Sequence, residues 1–153
     1  MLVFKALHIL AMFGAVTLLL GEALAYGIAI RRRDVPALAA IRRMTGRRPI
    51  IGVALLGLGI VFGLLTAWSA PFDFLDGWLI AAYVLVVAMF AFNASPWVQQ
   101  LPRLGDGAIE VEAGGRDAEQ LTAEMESSPA GILVAANVAL FAAIILDMVL
   151  KPF

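Results

Sequence analysis

Ionisable side chains inside apolar runs hold the most chemistry in this chain, because placing one in hydrocarbon costs about 2.5–3.5 kcal/mol on insertion scales. In the first apolar run Lys5, His8, Met12, Ala15, Leu19 and Glu22 recur three and four residues apart, which is one stripe of a helix. His8 offers an imidazole fit for an axial ligand or for a hydrogen bond between helices. Met12, one turn further, is the weaker, thioether candidate. Glu22 lies about 21 Å along the axis from His8, so the two are separate sites at opposite depths. In the last apolar run Asn137, Leu140, Ile144 and Asp147 share one face. Depth counted from the helix ends pairs Glu22 with Asn137, and Asp147 with Lys5 or His8. Three chemistries follow: hydrogen bonds that lock helix register, a proton or substrate path through Glu22, Asn137 and Asp147, or an axial ligand at His8.

These residues are positioned by four runs long enough to cross a hydrocarbon core of about 30 Å. The runs cover residues 2–30, 50–68, 78–94 and 129–150, with connections at 31–49 and 95–128, in one membrane domain over 1–153. The chain is 62% hydrophobic and 15% charged, which places it outside the soluble globular class. Lys5 and the small-x-small Ala23-Leu24-Ala25 imitate a secretory signal, but Arg31-Arg32-Arg33 just beyond opposes export. Irregular backbone cannot face lipid, so the runs are expected to be helices. Trp68 and Trp78 flank a Pro/Gly turn as interfacial rings would. The second run carries Gly59-Ile-Val-Phe-Gly63, a small-xxx-small pattern suited to close helix packing or dimerisation. The chain has no cysteine and one histidine, which excludes thiolate chemistry and any multi-His metal site within one copy.

Lys and Arg set the orientation. Arg31, Arg32, Arg33, Arg42, Arg43, Arg47 and Arg48 crowd the first connection, and Arg103 and Arg116 sit in the third. Both are therefore expected in the cytoplasm, with both termini outside. Leu38, Ile41 and Met44 recur at helical spacing between Pro36 and Gly46, predicting a short amphipathic helix on the headgroup layer, its arginines toward anionic lipid. No Gly-rich phosphate loop accompanies them, and no nucleic-acid partner is expected. The third connection is polar and acidic. Ile109–Glu112 alternates like a short strand, and Asp117–Met125 predicts a helix capped by Asp117. It lacks an EF-hand pattern, so a solvated or partner-binding loop is expected rather than a Ca²⁺ site.

Val3-Phe-Lys-Ala-Leu-His-Ile-Leu10, then Gly14, the Arg-rich turn and the Gly-rich second run, resemble a bacterial membrane family of unknown function. That family is similar to CopD-type copper-resistance domains and to the membrane-bound protoporphyrinogen oxidase that binds haem b. The resemblance covers mainly the first three runs and implies His8 as a haem axial ligand. Phe13-Gly14 stands where those relatives carry Trp-Gly, and a second ligand would have to be Met12, Met148 or the His8 of a second copy. Copper would meet scattered methionines without a Met-x-x-Met cluster.

The expectation is an all-α bundle of four transmembrane helices, N-out and C-out, in the bacterial cytoplasmic membrane. Its first functional reading is a non-enzymatic accessory or structural subunit beside a larger complex or as a homodimer. A haem b-binding redox protein using His8 and a small transporter using Glu22, Asn137 and Asp147 are the alternatives.

Overall fold

In a computed structural model that describes residues 2–46, 48–70 and 73–150, the backbone forms seven helices. Four are long and apolar enough to cross a membrane: α1 (Leu2–Arg32), α3 (Arg48–Trp68), α4 (Gly77–Ala94) and α7 (Ala130–Leu150). Three shorter helices, α2 (Val35–Thr45), α5 (Pro96–Glu112) and α6 (Ala118–Ser127), gather at the Arg-rich end. The expected all-α, four-span architecture is what is found. Arg47 and the side chain of Arg48 lie outside the described residues, as does Lys151.

Two packing regimes divide the molecule. In the membrane zone α1 lies closely along α3, and α7 lies between α1 and α4. Ala15, Leu56, Met89, Phe141 and Ile144 bring the four spans to one core. Hydrocarbon gives no hydrophobic drive between helices, so close contact has to come from small residues. A Cβ on Gly52 would meet Leu19 Cδ2 at 2.7 Å, and one on Gly59 would meet Met12 Sδ at 2.5 Å. The small-xxx-small face of α3 therefore serves α1 of the same chain.

The second regime is a helical cap. Leu38 and Ala39 of α2, Leu101, Leu104 and Ala108 of α5, and Leu121 and Met125 of α6 bury one another around Tyr26, Ala29 and Ile30 of α1. Leu38 and Leu121 are fully buried, each worth roughly 1.5–3 kcal/mol relative to exposure in water. The last two turns of α1 thus leave the span and anchor the cap.

Local signals start and stop these elements. The end of α1 is closed by Arg33 N–H to Ile30 O and Asp34 N–H to Ala29 O, both 3.0 Å, with Arg33 at φ 55°. That is a Schellman closure with arginine where glycine is usual. Asp34 then caps α2 by accepting from Ala37 N at 2.9 Å. Ser95 caps α5 ahead of Pro96, and Asp117 caps α6 as expected, accepting from Glu119 N at 3.0 Å.

Four sequence-based expectations need correction. Ile109–Glu112 is the last turn of α5 and not a strand, because Leu101, Leu104 and Ala108 supply a helical stripe that α2 covers. Leu38 and Ala39 of α2 meet protein instead of the headgroup layer and are fully enclosed, while Met44 at the end of the same face stays exposed. The 95–128 segment is a folded part of the cap and not a solvated loop. Trp68 is exposed while Trp78 packs with Ala67 and Leu79, so only Trp68 has the surface position of an interfacial ring.

Candidate intramembrane binding cleft

Glu22 and Asn137 do reach one place. Between α1, α3, α4 and α7, above α5, lies a cleft of about 440 Å³. It exists because α3 and α4, although consecutive, keep their backbones apart. Apolar walls come from Val53, Leu56, Phe90, Val134 and Phe141, and polar groups from Glu22, Asn93, Gln99, Asn137 and Arg42.

Glu22 and Asn137 are not hydrogen-bonded to each other. Asn137 Nδ2 donates to Asn93 Oδ1 at 3.2 Å, and Asn93 Nδ2 donates to Met89 O at 2.9 Å. Gln99 Nε2 donates to the Asn93 carbonyl at 2.9 Å. The Glu22 carboxyl lies against the Thr45 hydroxyl and close to Arg42. Thr45 is also 3.5 Å from the Tyr26 hydroxyl, a long and weak contact. Asn137 Oδ1 is buried and has no partner among the described residues.

Asn93 was missed because it stands one residue from the end of α4, where counting assigns it to the interface. Asn137 stands seven residues into α7, so boundary counting separates the two by about 9 Å in depth. They meet because α4 ends deeper than α7 begins and α5 fills the step, contributing Val98, Leu101 and Pro102 to the cleft. Pro102 has no N–H to give the carbonyl of Val98, four residues earlier.

Arg42 closes the wall on the cap side through a forked pair with Asp106, Nε to Oδ1 at 2.6 Å and Nη2 to Oδ2 at 3.1 Å. That bond, more than any other influence, holds the Arg42 guanidinium above its ordinary range. Gly105 lets the helices close here, since a Cβ would lie 3.0 Å from Arg42 Cβ and 3.1 Å from the Tyr26 ring. Arg43 pairs with Glu112 and Arg116 with Glu124, while Arg33 reaches Glu126 at 2.9 Å. Three arginines expected at lipid headgroups, Arg33, Arg42 and Arg43, therefore face carboxylates. Arg31 and Arg32 remain exposed.

His8 sits elsewhere. Its Nδ1 donates to Gly59 O at 2.6 Å, and its ring covers Gly63, whose Cβ would lie 3.0 Å from Nδ1. The expected pairing of Asp147 with Lys5 or His8 is not formed. Lys5 is exposed, His8 turns to α3, and no ion pair among the described residues involves Asp147. Asp147 is buried on α7, with Oδ2 unpartnered among the described residues, and it does not line the cleft.

Of the groups considered as haem ligands, His8 turns the Nδ1–Cε1 edge of its ring to Gly63 of α3, and Met12 Sδ is pressed onto Gly59. Met148 is packed toward Ala67, Trp78 and Leu79. Among the described residues no group of three or more His, Asp or Glu side chains could hold a metal ion.

No curated protein and no solved structure matches the chain. A family model described as a predicted integral membrane protein matches residues 2–152, nearly the whole sequence, in keeping with the four apolar spans. The chain belongs to that family, DUF2269.

Proposed function

We propose that this protein binds a small molecule inside the membrane, in the cleft between α1, α3, α4 and α7. One observation carries the reading: a cleft of about 440 Å³ is lined by Asn137, whose buried acceptor Oδ1 has no partner among the described residues. A buried polar atom without a partner costs about 1–3 kcal/mol, and a bound donor would recover that cost. The volume lies within the roughly 300–1,000 Å³ range of small-molecule sites, and apolar walls with a few convergent polar groups are their usual lining. Of the substrate path drawn from the sequence, Glu22 and Asn137 belong to this site, Asn93 joins them, and Asp147 does not. The membrane is taken to be the bacterial cytoplasmic one, with the cap inside and both termini outside.

Thiol labelling tests the cleft directly, because the chain has no cysteine of its own. Ala23→Cys places a lone thiol on the cleft wall, and Val84→Cys places one on the outer face of α4. A small charged methanethiosulfonate should modify Ala23→Cys in membranes and leave Val84→Cys untouched. An inert Ala23→Cys removes the reading.

An accessory role within a larger complex is the second reading, favoured by Gly21 and Gly57. Both face outward, with nothing within 4 Å of where a Cβ would stand, which leaves room for a helix of another subunit. Co-purification of a stable partner from mild detergent, lost in Gly57→Leu, supports it.

A further inference from the structure

We infer that the ligand of the cleft carries a primary ammonium head on an apolar body. This rests on the reading of the cleft as a binding site and specifies what fills it. The inference begins with the amide relay. The Met89 carbonyl can only accept, so the Asn93 group facing it must be its NH₂. Asn93 Oδ1 then points at Asn137 and can only accept as well, which fixes Asn137 with its NH₂ toward Asn93. Asn137 Oδ1 is left over, in a residue only 6% exposed. A backbone carbonyl of α4, two side chains away, thus decides that the free atom is an acceptor.

The one carboxyl of the lining, Glu22, is in no ion pair among the described residues. The amide nitrogens of Asn93, Asn137 and Gln99 each give one of their two N–H bonds to protein. Arg42, the one cation on the wall, is engaged in its forked pair with Asp106. Asn137 Oδ1 has no donor among the described residues, the Glu22 carboxyl lines the same cleft, and the nearby Val98 carbonyl loses its helix donor to Pro102. A carboxylate or phosphate ligand would bring a second negative charge beside Glu22, where the arginine is already paired with Asp106. An ammonium brings three N–H donors and no acceptor, and its charge complements the Glu22 carboxyl, which shares Arg42 with Asp106. Val53, Leu56, Phe90 and Phe141 would hold the body. A free amphiphilic amine and the ethanolamine head of a phospholipid share this chemistry.

The experiment uses the full-length protein in phosphatidylcholine nanodiscs, a lipid without N–H donors, and equilibrium dialysis of three probes with one ring: 2-phenylethylamine, 2-phenylethanol and phenylacetate. The amine should bind at least tenfold tighter than either other probe, after subtraction of empty discs. Asn137→Leu should weaken amine binding tenfold or more. Asn93→Leu frees the Asn137 amide to turn, so it should narrow the preference of amine over carboxylate while the protein stays folded by thermal unfolding. Glu22→Gln keeps an acceptor and loses the charge, so it should bring the amine down toward the alcohol. With phosphatidylethanolamine in the discs, a several-fold fall in amine binding identifies the lipid head as occupant, and an unchanged value identifies a free amine; both support the ammonium. Equal binding of amine, alcohol and carboxylate, or amine binding indifferent to both Asn137→Leu and Glu22→Gln, overturns the inference. If Ala23→Cys is reactive in that case, the cleft survives and only its ligand class falls.

Discussion

At the scale of single residues, the α1–α3 seam shows how a polar side chain can be structural inside a membrane. His8 gives its Nδ1 proton to a backbone carbonyl of α3 and lays its ring over Gly63, so its donor is satisfied and its position fixed by a glycine. Met12 and Leu19 repeat the arrangement over Gly59 and Gly52. The space is specific to these positions, because Gly57 of the same helix faces nothing. Gly59→Ala should therefore destabilise the protein by about 1–3 kcal/mol through overpacking. Gly57→Ala should be neutral or slightly stabilising, since alanine is the better helix former by roughly 1 kcal/mol. Thermal unfolding in one detergent compares them, and equal melting temperatures would show that the seam is looser than the side-chain positions require.

At the scale of elements, the cap turns a segregation of charge in the sequence into complementarity in space. The arginines of 31–49 and the acids of 95–128 look like two separate features when read along the chain. In the fold Arg33, Arg42 and Arg43 meet Glu126, Asp106 and Glu112. Exposed pairs of this kind contribute about 0–1 kcal/mol each. The forked Arg42–Asp106 pair, with Arg42 partly enclosed, should show the largest coupling, near the upper end of that range. A double-mutant cycle with Arg42→Gln and Asp106→Asn measures it, and zero coupling would mean that α2 and α5 are held by apolar contact alone. Arg42 itself introduces no pH dependence near neutrality. Its affinity for the proton is raised by the Asp106 bond, so its contribution is complete at every pH below the ordinary arginine range and is lost only as pH rises beyond that range. The Schellman turn gives a second test. Arg33 at φ 55° adopts a conformation that costs a non-glycine residue roughly 1–2 kcal/mol, and its pair with Glu126 is exposed. Arg33→Gly should be at least as stable as the parent in chemical unfolding, while Arg33→Val should lose stability. The four spans, the capped start of α6 and the separation of His8 from Glu22 were legible because hydropathy, caps and helical rise are local quantities. The helix through Pro102, Gly105 and Gly107 was not, because those residues argue against helix until Arg42 and Tyr26 close on Gly105 and Arg116 and Leu121 close on Gly107. The Asn93–Asn137 bond was hidden for a related reason: it depends on where α4 ends in depth, which α5 sets.

At the scale of the whole molecule, the cap and the membrane zone are joined by α1, whose 31 residues extend about 46 Å, more than a hydrocarbon core of about 30 Å requires. The surplus carries Tyr26, Ala29 and Ile30 into the cap core, so the side of the membrane occupied by the cap fixes the direction of every span. The sequence between the first and second spans carries seven arginines and that between the third and fourth two more, at 103 and 116, and the positive-inside rule counts them regardless of the carboxylates that pair with them, because acids contribute little to insertion. The turn between α3 and α4 carries Asp73 and Asp76 and no Lys or Arg. A cap in the cytoplasm is the outcome this asymmetry favours. Two single-cysteine variants of the cysteine-free chain test it with a membrane-impermeant maleimide: Ala113→Cys on the exposed turn after α5 and Asp73→Cys on the exposed turn before α4. Asp73→Cys should label in intact spheroplasts and Ala113→Cys only in inverted vesicles. The reverse pattern would invert the orientation while leaving the fold intact. Labelling of both from one face would break the four-span topology, because α4 would then have to return on the side from which it entered.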